Sequence, residues 1–132
     1  MTNTPKTILL LEDERVLQAA IESKLKKNGF TVILSRSVEQ ALEYINKGVN
    51  IDVVWLDHYL FGEGSGLDFV AKIKENEKYK DVPIFVVSNT ATPDKLQTYL
   101  RLGAKKYFVK SDHRLEAIVS EIQEYLTSRE SK

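Results

Sequence analysis

Five short apolar runs of strand length alternate along the chain with stretches that repeat apolar residues at helical spacing. The runs are Thr7–Leu11, Thr31–Leu34, Val53–Leu56, Ile84–Val87 and Tyr107–Val109. The first helical pattern carries Val16, Leu17, Ala20, Ile21 and Leu25, and the second Val38, Ala41, Leu42 and Ile45. Leu67, Val70 and Ile73 form the third, and Leu96, Tyr99 and Leu100 the fourth; Leu115, Ile118, Val119, Ile122 and Leu126 make the last. Punctuation agrees with the periods. Gly29, Gly48 and Gly103 follow the first, second and fourth helices, where a left-handed closing residue costs least. Ser37 with Gln40 and Ser65 with Asp68 have capping-box spacing, and Thr92-Pro93 reads as a cap followed by proline at the first helical position. Such alternation folds as an α/β (βα)5 unit, a doubly wound five-stranded parallel sheet with helices on both faces. The first and third runs are apolar at every position except Thr7, as central strands must be. The second begins with Thr31 and runs on into Ser35 and Arg36, which suits an edge. The order 2-1-3-4-5 follows.

With 132 residues the chain fits one domain, 1–132, with a core over about 6–126 and frayed ends. That length buries a real core without disulfides, and no cysteine is present to form one. Nineteen basic residues balance nineteen acidic ones, which argues against a nucleic-acid surface. No apolar run approaches the roughly 18 residues of a membrane span, and the first residues lack a signal-peptide pattern. The expectation is a soluble cytoplasmic protein with no linker, repeat or low-complexity segment.

Three of the runs end in charge: Leu11 is followed by Glu12-Asp13, Leu56 by Asp57 and Val109 by Lys110. Ligand sites of open α/β sheets lie outside the carboxyl ends of the strands, so these groups converge on one edge. Carboxylates brought to near contact repel by about 4 kcal/mol per pair at moderate effective dielectric, so their convergence calls for a cation. Mg2+ is the expected one, with Asp13, Asp57 and the backbone carbonyl of Tyr59 as ligands and Glu12 holding an inner water. A carboxylate beside such a cation is a competent nucleophile for phosphoryl transfer. Ser88, at the end of the fourth run, offers a hydroxyl to a phosphoryl oxygen, and Lys110 a mobile positive charge. Each residue alone reads more simply as a solvated loop acid, a strand-end cap or a surface lysine; their coincidence favours chemistry. Tyr107 and Phe108 fall on opposite faces of the last strand. His58 and His113 are isolated and receive no role, and Gly62-Glu-Gly-Ser-Gly66 reads as a flexible loop rather than a phosphate-binding one.

Taken together, Glu12-Asp13, Leu56-Asp57, Gly66-Leu67, Ser88, Gly103-Ala104 and Tyr107 with Lys110 make the chain resemble a receiver (response-regulator) domain of two-component signalling. The resemblance covers Lys6 to Leu126. It implies a flavodoxin-like fold like that of the chemotaxis regulators, so the strand order comes with the family as much as from edge character. It also implies that Asp57 accepts phosphate from a phosphohistidine on a sensor histidine kinase or histidine phosphotransfer protein, with Glu12 and Asp13 at the Mg2+ site. Ser88 and Lys110 would bind the phosphoryl group, and Tyr107 would turn inward as a switch. The readout surface implied is the helix-four, strand-five, helix-five face, with Tyr99, Lys105 and Tyr107, acting on a downstream protein effector or a homodimer partner.

Three positions depart from the family pattern. Ser111 stands where a proline usually follows the lysine, so a trans bond and a differently shaped loop are expected. Asn89 replaces a small residue after the switch hydroxyl, and the loop from Asp57 to Gly66 is one residue longer, with Phe61 in place of a common proline. Tyr59, Asn89 and Thr90 are expected to shield a phosphoryl group from water. The native-looking N-terminal Met and the polar ending Thr-Ser-Arg-Glu-Ser-Lys lead us to expect a single-domain regulator rather than an excised receiver. The alternative function is a pseudo-receiver, a constitutive interaction module that takes no phosphate. A dehalogenase-type phosphotransferase is more distant, because Tyr59 stands where it would place a second aspartate.

Overall fold

The computed structural model describes residues 5–57, 65–89 and 92–130. Its strands are β1 (Thr7–Leu11), β2 (Thr31–Ser35), β3 (Val53–Leu56), β4 (Ile84–Ser88) and β5 (Lys106–Val109). The helices are α1 (Arg15–Lys27), α2 (Val38–Asn46), α3 (Gly66–Lys74), α4 (Pro93–Leu102) and α5 (Leu115–Glu130), with a 3-10 turn at Lys110–Asp112. All strand pairs are parallel and the order is β2-β1-β3-β4-β5, as expected.

Alternation along the strands divides the core into two layers. Leu9, Leu11, Val54, Leu56, Ile84 and Val86 face α2, α3 and α4. Ile8, Leu10, Val53, Trp55, Phe85, Val87 and Phe108 face α1 and α5. Every residue of β3 and β4 is buried, which is why those runs carry no polar alternation. Tyr107 joins the first layer and Phe108 the second, so the two rings are split across the sheet as their spacing predicts.

The expected helix ends form. Ser65 and Asp68 make a complete capping box, and Thr92 Oγ1 accepts from the Lys95 backbone N–H ahead of Pro93. At Ser37 the box is half formed: its hydroxyl accepts from the Gln40 N–H, but the Gln40 side chain accepts from the Arg36 N–H instead of from Ser37. Gly103 closes α4 at φ 114°, where a Cβ would also come within 2.9 Å of the Lys74 side chain.

Two helices depart from their apolar periods. Val16, read as core, is 78% exposed, while the polar Gln18 is buried in α1. In α4 only Tyr99 is buried, and Leu100 is 41% exposed. Tyr99 is therefore not part of an exposed readout surface; its ring packs inward against Tyr107, with centroids 5.8 Å apart. Lys105 is exposed and Tyr107 half-buried.

Candidate functional site

The carboxyl ends of β1, β3, β4 and β5 meet at one edge because the register aligns them. Leu11 lies beside Leu56, Leu56 beside Val86, and Ser88 beside Val109. Glu12, Asp57 and Lys110 are the next residues of their strands, so the first residues past three strand ends point into one small volume. The Asp57 N–H donates to the Leu11 carbonyl at 3.0 Å, extending the β1–β3 ladder up to the acid itself.

Lys110 bridges the two buried acids. Its Nζ donates to Glu12 Oε1 at 3.0 Å and to Asp57 Oδ2 at 3.3 Å. Glu12 is 1% exposed and Asp57 4%, so both charges sit where water does little to compensate them. Burial, helped by the Asp57 charge, pushes the Glu12 carboxyl up to about 7; Lys110 and the Glu14 N–H, which donates to Glu12 Oε2, pull the other way. Burial also works to lower the Lys110 ammonium, but the Asp57 charge and the Glu12 hydrogen bond outweigh it and the group is raised. The lysine is thus firmly charged, and Glu12 is the member that gives way as protons become available.

One carboxylate oxygen from each of Glu12, Asp13 and Asp57 lies within 4.8 Å of the other two. An all-oxygen donor set of this kind fits a hard divalent cation, which would relieve the same repulsion that Lys110 relieves here. Asp13 is half-buried, on the solvent side of the group. Ser88 is fully buried at the end of β4, and its Oγ has no hydrogen-bond partner. A buried hydroxyl without a partner is uncommon and calls for an explanation. The Tyr59 carbonyl, His58, Phe61, the Gly62–Gly64 part of the loop and Thr90 lie outside the described residues. Asn89 is exposed just after β4. No cis peptide bond occurs among the described residues, so Lys110–Ser111 is trans as expected, and the chain leaves β5 directly into the 3-10 turn.

Two polar residues that the sequence reading passed over hold the acidic turn in place. Gln18 Nε2 donates to the carbonyls of Glu12 and Ser35, both at 3.1 Å, tying the ends of β1 and β2 together from α1. Arg36 grips the Asp13 carbonyl with Nε at 3.2 Å and Nη2 at 3.0 Å. The signal available was Gln18 itself, a polar residue in the apolar stripe of the first helix.

Comparison with known proteins agrees with this geometry. A family model described as the response regulator receiver domain matches residues 8–123. The two-component response regulator ORR11 of rice (Oryza sativa) is 28% identical over 106 residues, which cover 80% of this chain and 71% of the relative. The rice regulator ORR7 is 26% identical over 78% of this chain but only 49% of its own length. Among solved structures, the phosphorylated cyanobacterial phytochrome response regulator RcpA has a TM-score of 0.82 at 25% identity, covering 95% of this chain and 96% of that one. The chemotaxis regulator CheY4 of Vibrio cholerae shares the fold, with a TM-score of 0.82 at 23% identity over 92% and 98% of the two chains. The chain belongs to the response regulator receiver domain family of two-component signalling.

Proposed function

We propose that this receiver domain is a phosphoacceptor whose Asp57 takes a phosphoryl group from a phosphohistidine on a sensor histidine kinase or histidine phosphotransfer protein. The observation that carries the reading is Lys110 poised on Asp57 while the buried Ser88 hydroxyl, one strand over, has no partner. In the reaction an Asp57 oxygen attacks phosphorus in line, the P–N bond to the donor histidine breaks, and an acyl phosphate forms. Lys110 and Ser88 would each take an equatorial oxygen, the lysine exchanging part of its carboxylate pairing for the new anion. Asp13, Asp57 and the Tyr59 carbonyl would hold Mg2+, with Glu12 behind them through a water; bound there, the ion neutralises developing charge on the transferring group.

Readout is by rearrangement. The phosphoryl group adds about −1.5 to −2 charges at the sheet edge, but salt screens this within roughly 8 Å. Ser88 and Lys110 drawn to the phosphate would carry the start of α4 with them, and Tyr107 would fill the space behind. The changed surface of α4, β5 and α5 would then bind a downstream protein effector or a second copy of the chain. No nucleic acid or membrane enters this account. Among the described residues no helix is long and apolar enough to cross a membrane, and a histidine kinase donor would place the protein in the cytoplasm.

Intact-mass measurement after incubation with a small phosphodonor and Mg2+ tests the reading. One phosphoryl group should be gained, and Asp57→Asn should gain none. A wild-type mass that no donor changes would leave a constitutive interaction module instead.

A further inference from the structure

Glu12 and Asp13 lie in the short turn between β1 and α1, and their main chain is held from both sides. Gln18, buried in α1, donates from Nε2 to the Glu12 and Ser35 carbonyls, both at 3.1 Å. An amide nitrogen carries two protons, so both are committed, and both acceptors are main-chain oxygens at the ends of neighbouring strands. Arg36, just past β2, donates from Nε at 3.2 Å and from Nη2 at 3.0 Å to the Asp13 carbonyl. The Arg36 backbone N–H in turn donates to Gln40 Oε1 at 2.8 Å, which ties the loop carrying the guanidinium to α2.

These bonds bear on the carboxylates. The main-chain oxygens of Glu12 and Asp13 are engaged, one by an amide and one by a guanidinium, which leaves a cation to the side chains that cluster with Asp57. A guanidinium beside that cluster opposes cation binding by its charge, so its presence there is favourable only through the geometry it imposes. Groups behind a metal's ligands orient them, and losing one typically costs about 10- to 100-fold in affinity. Mg2+ is the more demanding test of such geometry. It requires near-ideal octahedral coordination, whereas Ca2+ accepts more ligands in a looser arrangement.

We propose that Gln18 and Arg36 are positioning residues of the divalent-cation site, fixing the main chain of Glu12 and Asp13 so that the Asp13 carboxylate meets Asp57 in the geometry Mg2+ demands. The inference rests on the Mg2+ site of the proposed function and assigns two further residues to its affinity and selectivity.

The test is a titration of the full, unphosphorylated chain with MgCl2 and separately with CaCl2 at constant ionic strength, following the Asp13 and Asp57 amide peaks in 15N–1H spectra. Gln18→Met and Arg36→Met should each weaken Mg2+ about 10-fold and Ca2+ by less, lowering the preference for Mg2+. Arg36→Lys, which keeps the charge but not the two-pronged grip, should also bind Mg2+ more weakly than wild type. If Gln18→Met does not fold, the Arg36 variants decide, because that side chain is only half-buried. Mg2+ binding by Arg36→Met as tight as wild type or tighter overturns the proposal, since the guanidinium would then act by charge alone. Equal losses for the two cations also overturn it, because a merely structural role lowers both alike. A wild type that neither cation saturates removes the metal site and this proposal together; variants that match a saturable wild type remove this proposal alone.

Discussion

The helices on either side of β5 are attached to the sheet in different ways. α5 sends Ile118, Val119, Ile122 and Leu126 into the layer it shares with Phe108, Phe85 and Trp55. α4 buries a single residue, Tyr99, and leaves Leu100 and Leu102 at its surface. A fully buried aliphatic side chain contributes about 1.5–3 kcal/mol, so four such anchors hold α5 where α4 has one aromatic ring. Elements with few buried apolar contacts are the ones that open or shift at low free-energy cost. On the proposed function, this difference would let a charge event at Asp57 reach one side of the domain and spare the other. α4 follows directly on the segment after Ser88, and its one anchor, Tyr99, packs on Tyr107. Under the proposed phosphorylation, movement of Ser88 toward a phosphoryl group would pull on the weakly held helix and leave α5 in place.

Stability measurements break or sharpen this contrast. The largest effect should come from Ile122→Ala in α5, which should cost about 2–5 kcal/mol in denaturant unfolding by loss of burial and creation of a cavity. Leu100→Ala in α4 should stay within about 0.5 kcal/mol. Comparable losses at the two positions would remove the asymmetry on which the switch rests.

Next in size is Lys110→Ala, which leaves Glu12 and Asp57 adjacent, buried and without their shared cation. In metal-free buffer at pH 8 it should cost about 2–3 kcal/mol. Near pH 5, where Glu12 takes up a proton, the loss should be smaller. A loss independent of pH would mean that the lysine stabilises through its stem alone.

Glu12 also makes the intact protein sensitive to pH. Its carboxyl is raised from 4.5 to about 7 by burial and then by Asp57, so the folded state binds the proton more tightly than the unfolded chain does. The associated stability is complete below about pH 4.5 and is lost as pH rises through about 7, amounting to at most about 3 kcal/mol. Unfolding curves of wild type against Glu12→Gln in metal-free buffer should show this component only in the wild type. Mg2+ should offset more of the loss at pH 8 than at pH 5.

Smaller still are two local effects. Asp13→Ala should stabilise the metal-free protein by up to about 1 kcal/mol, since a half-buried acid leaves a crowded cluster. The same change should weaken Mg2+ binding, followed by titration of the Trp55 fluorescence. Tyr107→Leu should cost about 1 kcal/mol by removing the ring pair with Tyr99. It should also uncouple α4 from the site without preventing phosphorylation.

The strands were legible because β1, β3 and β4 are buried on both faces and can be written only in apolar residues. Edge character likewise gave β2 away, through Thr31, Ser35 and Arg36. The acids were legible for a related reason: the pair Glu12-Asp13 and the single Asp57 follow directly on apolar runs, and a parallel sheet brings such positions together. Ser88 was legible from its place at the end of the fourth apolar run, whereas Tyr107 carries no comparable signal and was given its switch role by the family resemblance. α4 was harder. Leu96, Tyr99 and Leu100 repeat at helical spacing, yet periodicity does not say how closely a helix sits on its sheet. Gln18 and Arg36 were missed because their partners are main-chain carbonyls, which every residue possesses and no sequence pattern marks.

The most direct test of the central claim is a comparison of backbone chemical shifts with and without a stable phosphoryl mimic plus Mg2+. Shift changes should extend from the loops around Asp13 and Asp57 through Ser88 into α4 and to Tyr107, and leave the buried face of α5 at Ile118 and Ile122 largely unmoved. Changes confined to the loops around the acids, or spread equally over α4 and α5, would contradict it.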